Sequence, residues 1–386
     1  MVIFSLQFTI LVIVRDERIK ILYMSHFGDL SMGGQKSMFA LIRNLDKSRF
    51  EPLAIVPYEG ELSKNLASAG CTVFTMPLLP LKPKFYFQQI SNIASLSRII
   101  RTHCISIVHP DHERDALIAG LACKFTNAKM LWHVRLTRKV GTDKITFSLA
   151  DKVIGIAEDV RNRFEGMASL DRKYITIYNG VDCDEFKPID KTTIKAKLGL
   201  EPNKFIITFA GQFKRGKGLM DLIAAATLID NDNHQFLLIG KPESENFLAE
   251  MKEAISAANL ESSVKIMEFQ SDIQNWFAAS DIVVLPSHEG TEGMGRVLFE
   301  AMACGTAVIG TNISGVRQAI SQETGLLVAE KSPQSLAEAI TKLMADNDLR
   351  HSLEHNGRQR ALEFFDIKNH AINVEKIYEQ LISVKK

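Results

Sequence analysis

The sequence has few cysteines, and their spacing shows no metal-binding or disulfide pattern. There are five, an odd number, and no two have CxxC spacing: Cys71, Cys104, Cys123, Cys183 and Cys304. This usage fits a reducing compartment and argues against a disulfide framework or a structural zinc site. No cluster of histidine, cysteine and aspartate has metal-ligand spacing, and neither a P-loop nor a serine nucleophile elbow is visible. We therefore expect no metal site.

The chain also lacks an excess of charge and long apolar runs. Its formal net charge is +1, which argues against a dedicated nucleic-acid binder. Residues 1–14 are strongly apolar, but they are too short to span a bilayer unaided and have no basic leading region or cleavage site. Three interpretations stay open for them: an extra strand, a weak membrane-contacting tail, or residues upstream of the true start. No other stretch approaches about eighteen apolar residues, so we expect no transmembrane helix elsewhere.

The 386 residues instead show short apolar strands alternating with amphipathic helices, over a length sufficient for two domains. Such alternation predicts an α/β protein with parallel sheets covered on both faces. A turn-rich stretch from Asn179 to Pro202 interrupts it, so we place the domain junction there, between 1–185 and 186–386. Two doubly wound units leave a cleft at the C-terminal strand ends. The predicted strands are 19–24, 51–56, 73–76, 105–108, 130–134, 152–156, 174–178, 205–210, 235–239, 264–267, 282–285 and 307–310.

The periodicity of apolar residues does not show what two of the predicted helices pack against. The final helix, 368–384, follows the second unit, and packing back onto the first domain is a candidate arrangement. The helix at 86–101 is preceded by a segment that mixes cations with aromatics, Lys82-Pro83-Lys84-Phe85-Tyr86-Phe87. We interpret this region as a core helix with a solvated face, and contact with an anionic membrane surface is the alternative.

The most informative segment is 286–305, which begins where the strand 282–285 ends. Gly293 and Gly295 let the backbone approach a ligand closely, and a helix begins near Arg296, where free N–H groups and the helix dipole suit a diphosphate. Glu292 and Glu300 flank this start, and carboxylates are good partners for sugar hydroxyls. Taken locally, an ordinary helical ion pair between Arg296 and Glu300 and a plain glycine turn explain the segment equally well.

The wider context favours the first interpretation. The segment resembles the Glu-x7-Glu donor signature of the retaining glycosyltransferases of family 4, which have the GT-B fold of two Rossmann-like domains. Further matches occur in the family's order along residues 19–385: Asn179-Gly180-Val181-Asp182 with Phe186, Gly211 with Lys217-Gly218, and Ala279-Ser280-Asp281 before Pro286-Ser287.

The resemblance implies roles for individual residues. Glu300 would bind the donor ribose, Glu292 a hydroxyl of the transferred sugar, and Lys217 the donor diphosphate. Backbone amides at Met294, Gly295 and Arg296 would assist. In the first domain, His133 matches a histidine that contacts the donor sugar, and the loop at Gly33-Gly34 lies near donor and acceptor. Taken alone, His133 fits a hydrogen-bonded structural residue, and Gly33-Gly34 a simple helix entry.

The chain departs from the family pattern at two places. Gln212 follows Gly211 where the family has a second cation for the diphosphate, and nearby Arg215 is a candidate substitute. Ser314-Gly315 with Gln318 stands where the family often has Gly-Gly and a glutamate. Other residues at predicted strand ends are candidates for the cleft or for an acceptor phosphate: His109, Asp111, Arg135, Arg138 and Lys139.

The family relationship implies transfer of a hexosyl unit from a UDP- or GDP-sugar, with UDP preferred, to a glycan or lipid-linked acceptor. The expected setting is cytoplasmic assembly of cell-surface polysaccharide, lipopolysaccharide included, with peripheral contact at the inner membrane face. GT-B enzymes generally work without metal, and no cofactor besides the donor substrate is implied. Two rivals remain: a catalytically silent donor-binding subunit, favoured by Gln212, and a GT-B sugar-nucleotide epimerase, which the Glu-x7-Glu signature disfavours.

Overall fold

The computed structural model describes residues 17–30, 33–79, 82–230 and 233–383. Within these ranges the chain forms two parallel sheets, one of seven strands and one of six. This confirms the two doubly wound α/β units. The apolar stretch 1–14 lies outside the described residues, so its three interpretations stay open.

The strand order of each sheet matches a doubly wound fold. The first sheet has the order β3-β2-β1-β4-β5-β6-β7, and the second has the order β10-β9-β8-β11-β12-β13. Along the chain the strands are β1 Ile19–Met24, β2 Phe50–Val56, β3 Thr72–Thr75, β4 Ile107–Pro110, β5 Lys129–Val134, β6 Lys152–Gly155, β7 Tyr174–Thr176, β8 Phe205–Ala210, β9 His234–Ile239, β10 Val264–Met267, β11 Ile282–Leu285, β12 Ala307–Thr311 and β13 Leu326–Val328.

Helices connect most successive strands in both sheets and, among the residues that the structure describes, three more helices come after the last strand in the sequence. In chain order the helices are α1 Gly33–Arg43, α2 Glu61–Ser68, α3 Tyr86–Thr102, α4 Glu113–Lys124, α5 Asp143–Leu149, α6 Leu170–Lys173, α7 Lys191–Lys197, α8 Leu219–Ala226, α9 Glu245–Ala257, α10 Ile273–Ala279, α11 Arg296–Ala303, α12 Pro333–Ala345, α13 Asn347–Phe364 and α14 Ile367–Ser383. Short 3-10 turns occur at Pro83–Phe85, Glu158–Phe164 and Arg215–Lys217.

Residue alternation explains why both faces of the first sheet are covered. In β1, Leu22 and Met24 belong to one buried apolar cluster, while Ile21 and Tyr23 belong to another. Successive side chains of a strand point to opposite faces, so a strand that is apolar at every position must be buried on both. The cleft therefore lies at the strand ends, where loops replace packed helices.

The final helix α14 packs on the first domain. Its apolar side chains share a buried cluster with strand and helix residues of the first sheet: Ala371, Val374, Ile377, Tyr378 and Leu381. The chain returns to the first domain just before α14, where it pairs with the segment that joins the two domains. The Val181 N–H donates to Phe365 O at 2.7 Å, and the Ile367 N–H donates to Val181 O at 2.9 Å. A side chain at Gly180 would meet Ile367 Cα at 2.6 Å, so the close crossing requires glycine there.

The helix α3 differs from the expected core helix in its first turns. Its buried positions there are polar: Gln89 donates to Leu79 O and Asn92 donates to Pro77 O, at 2.9 and 2.8 Å. Its outward positions there include the apolar side chains of Tyr86, Phe87 and Ile90, and Phe87 is 89% exposed. Of the helices in the described ranges, none combines the length and apolarity needed to cross a membrane.

Most strands lie within one residue of the sequence prediction, β7 ends two residues early at Thr176, and two strands differ more. The strand β4 covers Ile107–Pro110 instead of 105–108, and β13 at Leu326–Val328 was missed. The edge strand β13 has three residues, too few for periodicity to show in the sequence.

Candidate active site

The C-terminal strand ends of the two sheets enclose a cavity of about 410 Å³ that both domains line. First-domain lining includes Gly33, Gly34, Asp111, His133, Arg135 and Asn179, and second-domain lining includes Gly211, Gln212, Lys214, Lys217, Glu292, Gly293, Met294, Gly295, Arg296 and Glu300. A wider depression of about 960 Å³ lies elsewhere on the first domain, at the opposite strand ends. Lys173 there already donates to three backbone carbonyls, so we place the functional site in the smaller cavity.

Two loops of the second domain bring Lys217 against Glu292. Gly218 follows Lys217 with φ +68°, and a side chain at Gly218 would lie 1.9 Å from Pro286 O. The loop after β8 therefore packs directly on the loop after β11. The Lys217 ammonium donates to Glu292 Oε1, which also accepts from the Ser287 hydroxyl at 2.6 Å. A cation and a carboxylate are thus held together at the cavity wall.

The start of α11 carries the second charged pair. Gly295 is left-handed with φ +60° and precedes the first helical residue, Arg296. The Arg296 guanidinium donates to Glu300 Oε1 at 2.5 Å, so the ordinary helical ion pair is present. The same guanidinium also donates to Ser37 Oγ at 3.0 Å and Gly180 O at 3.3 Å. Arg296 therefore connects α11 to the first domain, which sequence spacing did not indicate.

The structure does not place Arg215 at the cavity. Its guanidinium makes a bidentate pair with Glu250 and lies over the ring of Phe247. Lys214 lines the cavity instead, beside Gln212. The segment 214–217 offers three cations, and only the turn geometry decides which of them face the cleft. In this structure Lys214 lines the cavity and Arg215 does not.

His133 lies at the first-domain wall, at the end of a buried hydrogen-bonded chain. Its Nδ1 is 3.2 Å from His109 Nε2, and His109 Nδ1 is 2.7 Å from the Tyr378 hydroxyl. Burial and the nearby Arg135 charge hold the pKa of His133 well below its usual range. Burial also lowers the pKa of His109 to about 3. Both imidazoles are therefore neutral near pH 7, and His133 is set to form a hydrogen bond rather than to give up a proton.

Arg135 and Asp111 complete that wall. Arg135 is partly buried and donates to Asn179 Oδ1 at 3.0 Å, while its Nε lies 3.5 Å from Asp111 Oδ2. The exposed positions Arg138 and Lys139 point to solvent. Neither oxygen of Asp111 has a hydrogen-bond partner in the described residues. By contrast, Glu113 accepts from Arg163 at 3.0 Å.

An incompletely paired buried carboxylate gives a pH-dependent prediction. Burial is the main cause that raises the pKa of Asp111 from its ordinary value of 3.8 to about 6. Between these values the folded protein binds more protons than the unfolded chain, so this carboxyl's contribution to stability falls as pH rises through about 6. Asp111→Asn should therefore stabilise the protein more at about pH 8 than at about pH 4, by roughly 2 kcal/mol. Urea unfolding at both pH values measures this, and an equal effect at the two would contradict it.

One further polar group lies beside this wall. His26, His112 and Asp115 place one ligand atom each within 4.8 Å of one another, which sequence spacing missed because His26 is far upstream. The Arg114 guanidinium, however, lies 2.6 Å from His26 Nε2. The lone pair of His26 Nε2 therefore accepts a hydrogen bond from a cationic side chain, so we assign no metal site to these three residues.

Contacts between the domains involve the second departure from the family pattern. Gln318 Oε1 accepts from the Glu158 N–H at 2.5 Å, across the domain boundary. Gly315 has φ +83°, and a side chain there would meet Gly293 O at 2.7 Å. Gly293 itself faces Arg135 O, where a side chain would lie at 2.4 Å. The glycines around the cleft therefore permit a close approach of backbone to backbone.

Comparison with known proteins identifies relatives of both domains. The family model described as Glycosyltransferase Family 4 matches residues 32–185, and that described as Glycosyl transferases group 1 matches residues 190–360. A capsular polysaccharide biosynthesis glycosyltransferase of Staphylococcus aureus is 28% identical, with 62% of this chain and 64% of that protein aligned. A lipopolysaccharide core biosynthesis mannosyltransferase of Rhizobium meliloti is 28% identical, with 70% and 75% aligned. The chain thus spans about two thirds of the length of these relatives.

Solved structures share the architecture over nearly the whole chain. A glycosyltransferase from Rickettsia africae superposes with a TM-score of 0.85 at 24% identity, covering 95% of this chain and 99% of that one. An Anabaena protein in complex with UDP superposes with a TM-score of 0.82 at 20% identity, covering 94% and 100%. Both likenesses establish the two-domain fold. The sheets, the two matching models and the named relatives together show that this chain belongs to the family 4 glycosyltransferases, which have the GT-B fold.

Proposed function

We propose that the chain transfers a hexosyl unit from a UDP- or GDP-sugar to a hydroxyl of a glycan or lipid-linked acceptor. The observation that carries this proposal is the convergence of two cation–carboxylate pairs, Lys217–Glu292 and Arg296–Glu300, with the N-terminus of α11 at one cavity. Cations and free N–H groups suit a diphosphate, and carboxylates suit ribose and sugar hydroxyls. An Anabaena protein of the same fold was solved with UDP-glucose, which supports preferring UDP.

The proposed transfer retains configuration and uses no metal. The acceptor oxygen forms a bond to the anomeric carbon on the face from which the diphosphate departs, and the anomeric carbon–oxygen bond to the diphosphate breaks. The acceptor proton passes to the departing phosphate oxygen. Lys217 and the α11 amides stabilise the charge that grows on this leaving group, a role that a metal ion fills in other transferases. We assign no protein nucleophile.

The proposed biological setting is assembly of cell-surface polysaccharide in the cytoplasm. The capsular and lipopolysaccharide relatives support that setting. The outward apolar positions of α3 and the exposed Lys82 and Lys84 support peripheral contact with an anionic membrane face. Flotation with anionic vesicles, compared with neutral ones, tests this contact, and equal recovery with both would refute it.

A screen of UDP- and GDP-hexoses for nucleotide release tests the function. We expect UDP release from at least one UDP-hexose, unchanged by EDTA. Glu300→Gln should raise the Kd for UDP roughly tenfold or more, because a charged hydrogen bond to the ribose is lost. The exposed Glu338→Gln variant of the same domain is the control and should bind UDP normally.

The outcomes of that screen separate the rival functions. If no sugar nucleotide binds, the proposal is wrong. If UDP binds but no UDP- or GDP-sugar is ever consumed, the chain is a silent donor-binding subunit. Gln212 in place of a clamp arginine and the engagement of Arg215 with Glu250 are the observations that favour this second candidate.

A further inference from the structure

We infer that His133 presents an Nε2–H donor to the cleft, and that Tyr378 and His109 are positioning residues that hold this tautomer. The inference rests on the proposed function for its ligand. The N–H would bind an oxygen of the sugar nucleotide. The tautomer itself follows from geometry within the first domain and α14.

Four side chains form one continuous hydrogen-bonded chain. The Tyr23 and Tyr378 hydroxyls are 2.7 Å apart, Tyr378 is 2.7 Å from His109 Nδ1, and His109 Nε2 is 3.2 Å from His133 Nδ1. All four are at most 2% exposed. Tyr23, His109 and His133 come from β1, β4 and β5, which are neighbours in the sheet, and Tyr378 comes from α14. Of the four, His133 lines the cavity.

If all bonds in this row of four side chains are made, they can point in only two directions, because each hydroxyl and each neutral ring has one proton to donate. In the outward direction, Tyr23 donates to Tyr378, Tyr378 donates to His109 Nδ1, and His109 Nε2–H donates to His133 Nδ1. His133 then carries its proton on Nε2. In the inward direction every bond is reversed, and the Tyr23 hydroxyl must donate elsewhere.

The inward direction leaves a buried donor without an acceptor. In the described part of the chain, Tyr378 is the hydrogen-bond partner of the Tyr23 hydroxyl. Each buried unsatisfied polar group incurs its full desolvation penalty. The inward direction leaves two such groups, the Tyr23 hydroxyl proton and the lone pair of His133 Nε2, whereas the outward direction leaves only the His133 Nε2–H, which faces the cavity. His133 Nε2 has no partner among the described residues, so a bound oxygen can complete the chain there.

The low pKa values of the histidines in and beside this hydrogen-bonded row mean that each imidazole is neutral and carries one ring proton. Burial, followed by the charge of Arg135, keeps the pKa of His109 at about 3, and burial keeps the pKa of His370 at about 4. The ring of His370 stacks 6.1 Å from that of His133, and its Nδ1–H donates to Tyr178 O at 2.7 Å. Neutral rings have one N–H each, as the outward direction requires.

NMR of the full-length chain labelled with ¹⁵N-histidine tests the tautomer directly, with the His133 signal assigned from His133→Gln. We expect Nε2–H in the wild type. Tyr378→Phe removes the hydroxyl that donates to His109, so the His133 ring should become a mixture of tautomers. Tyr23→Phe is the matched control. It removes a hydroxyl from the same buried pair but leaves Tyr378 donating to His109, so the Nε2–H form should persist.

Kinetics give the second readout. Tyr378→Phe should lower kcat/KM about tenfold, by analogy with the loss of a partner that orients a metal-bound histidine, and leave the Kd for UDP unchanged. Tyr23→Phe should stay near the wild-type rate, although thermal unfolding should show similar stability losses in both variants. An Nδ1–H wild type, an unchanged tautomer in Tyr378→Phe, or equal shifts in both variants would overturn the inference. If the tautomers are as expected but no sugar nucleotide binds, the proposed function fails and the positioning chain stands.

Discussion

Lys217→Ala should reduce sugar transfer by roughly 10²–10³-fold while the fold survives. Lys217 is the cation that the loop after β8 holds against Glu292 at the cavity wall. Negative charge grows on the leaving diphosphate during transfer, and removal of one preorganised group that stabilises such charge typically costs this much in turnover. The measurement is kcat with the UDP-hexose found in the donor screen, beside circular dichroism of the same preparation.

Two controls make the Lys217 result specific. Lys252→Ala removes an exposed lysine of α9 in the same domain and should leave transfer unchanged. Lys217→Arg keeps the charge and should recover part of the activity, because a guanidinium also donates to phosphate oxygens. Near-normal transfer in Lys217→Ala would show that the ammonium has no part in stabilising the leaving group.

Gly293→Ala should abolish most transfer for a different reason, the approach of the two domains. An added Cβ would lie 2.4 Å from Arg135 O and 3.2 Å from Ile156 Cδ1, both in the first domain. Backbone oxygen cannot move aside as a flexible side chain can, so the domains must separate. Misplacement of reacting groups by about 1 Å can cost 10²-fold, and we expect at least roughly that loss in kcat. UDP binding should change little, because the residues proposed to bind it lie in the second domain.

The Gly293 prediction can be checked against an unhindered glycine. Gly141 has nothing within 4 Å of an added Cβ, so Gly141→Ala is a matched control that should keep full activity. Small-angle scattering should show a larger radius of gyration for Gly293→Ala than for the wild type. Full turnover in Gly293→Ala would mean that the observed closeness of Arg135 and Gly293 is not needed for catalysis.

The spacing of apolar residues predicted helices and strands well where the spacing repeats over several helical turns or along a strand of five or more residues. In α1 the apolar residues Met38, Leu41 and Ile42 recur at helical spacing, and all three are buried, as is Leu45 just after the helix. The same reasoning placed β4 two residues early and missed β13, because strands of three or four residues contain too few repeats. The first turns of α3 show a further limit. Their inward polar residues bind loop carbonyls, which no periodicity of apolar residues can reveal.

In the candidate site, too, some features could be predicted from the sequence and others could not. The segment 286–305 could be singled out from sequence, because glycines, a helix start and spaced carboxylates are neighbours in the chain. The choice between Lys214, Arg215 and Lys217 could not, since it depends on how the turn at 215–217 packs on another loop. Tyr378 could not be connected to His133 either, because α14 had no readable destination.

By itself, the sequence determined the two α/β units and the donor-signature helix start, because apolar repeats, glycines and helix caps act over a few neighbouring residues. Only the tertiary structure decided which charges meet in the cleft and how His133 is held. Those contacts join side chains from β1, β4, β5, α1, α11 and α14, and their distances are set by the packing of sheets and helices that lie far apart in the chain.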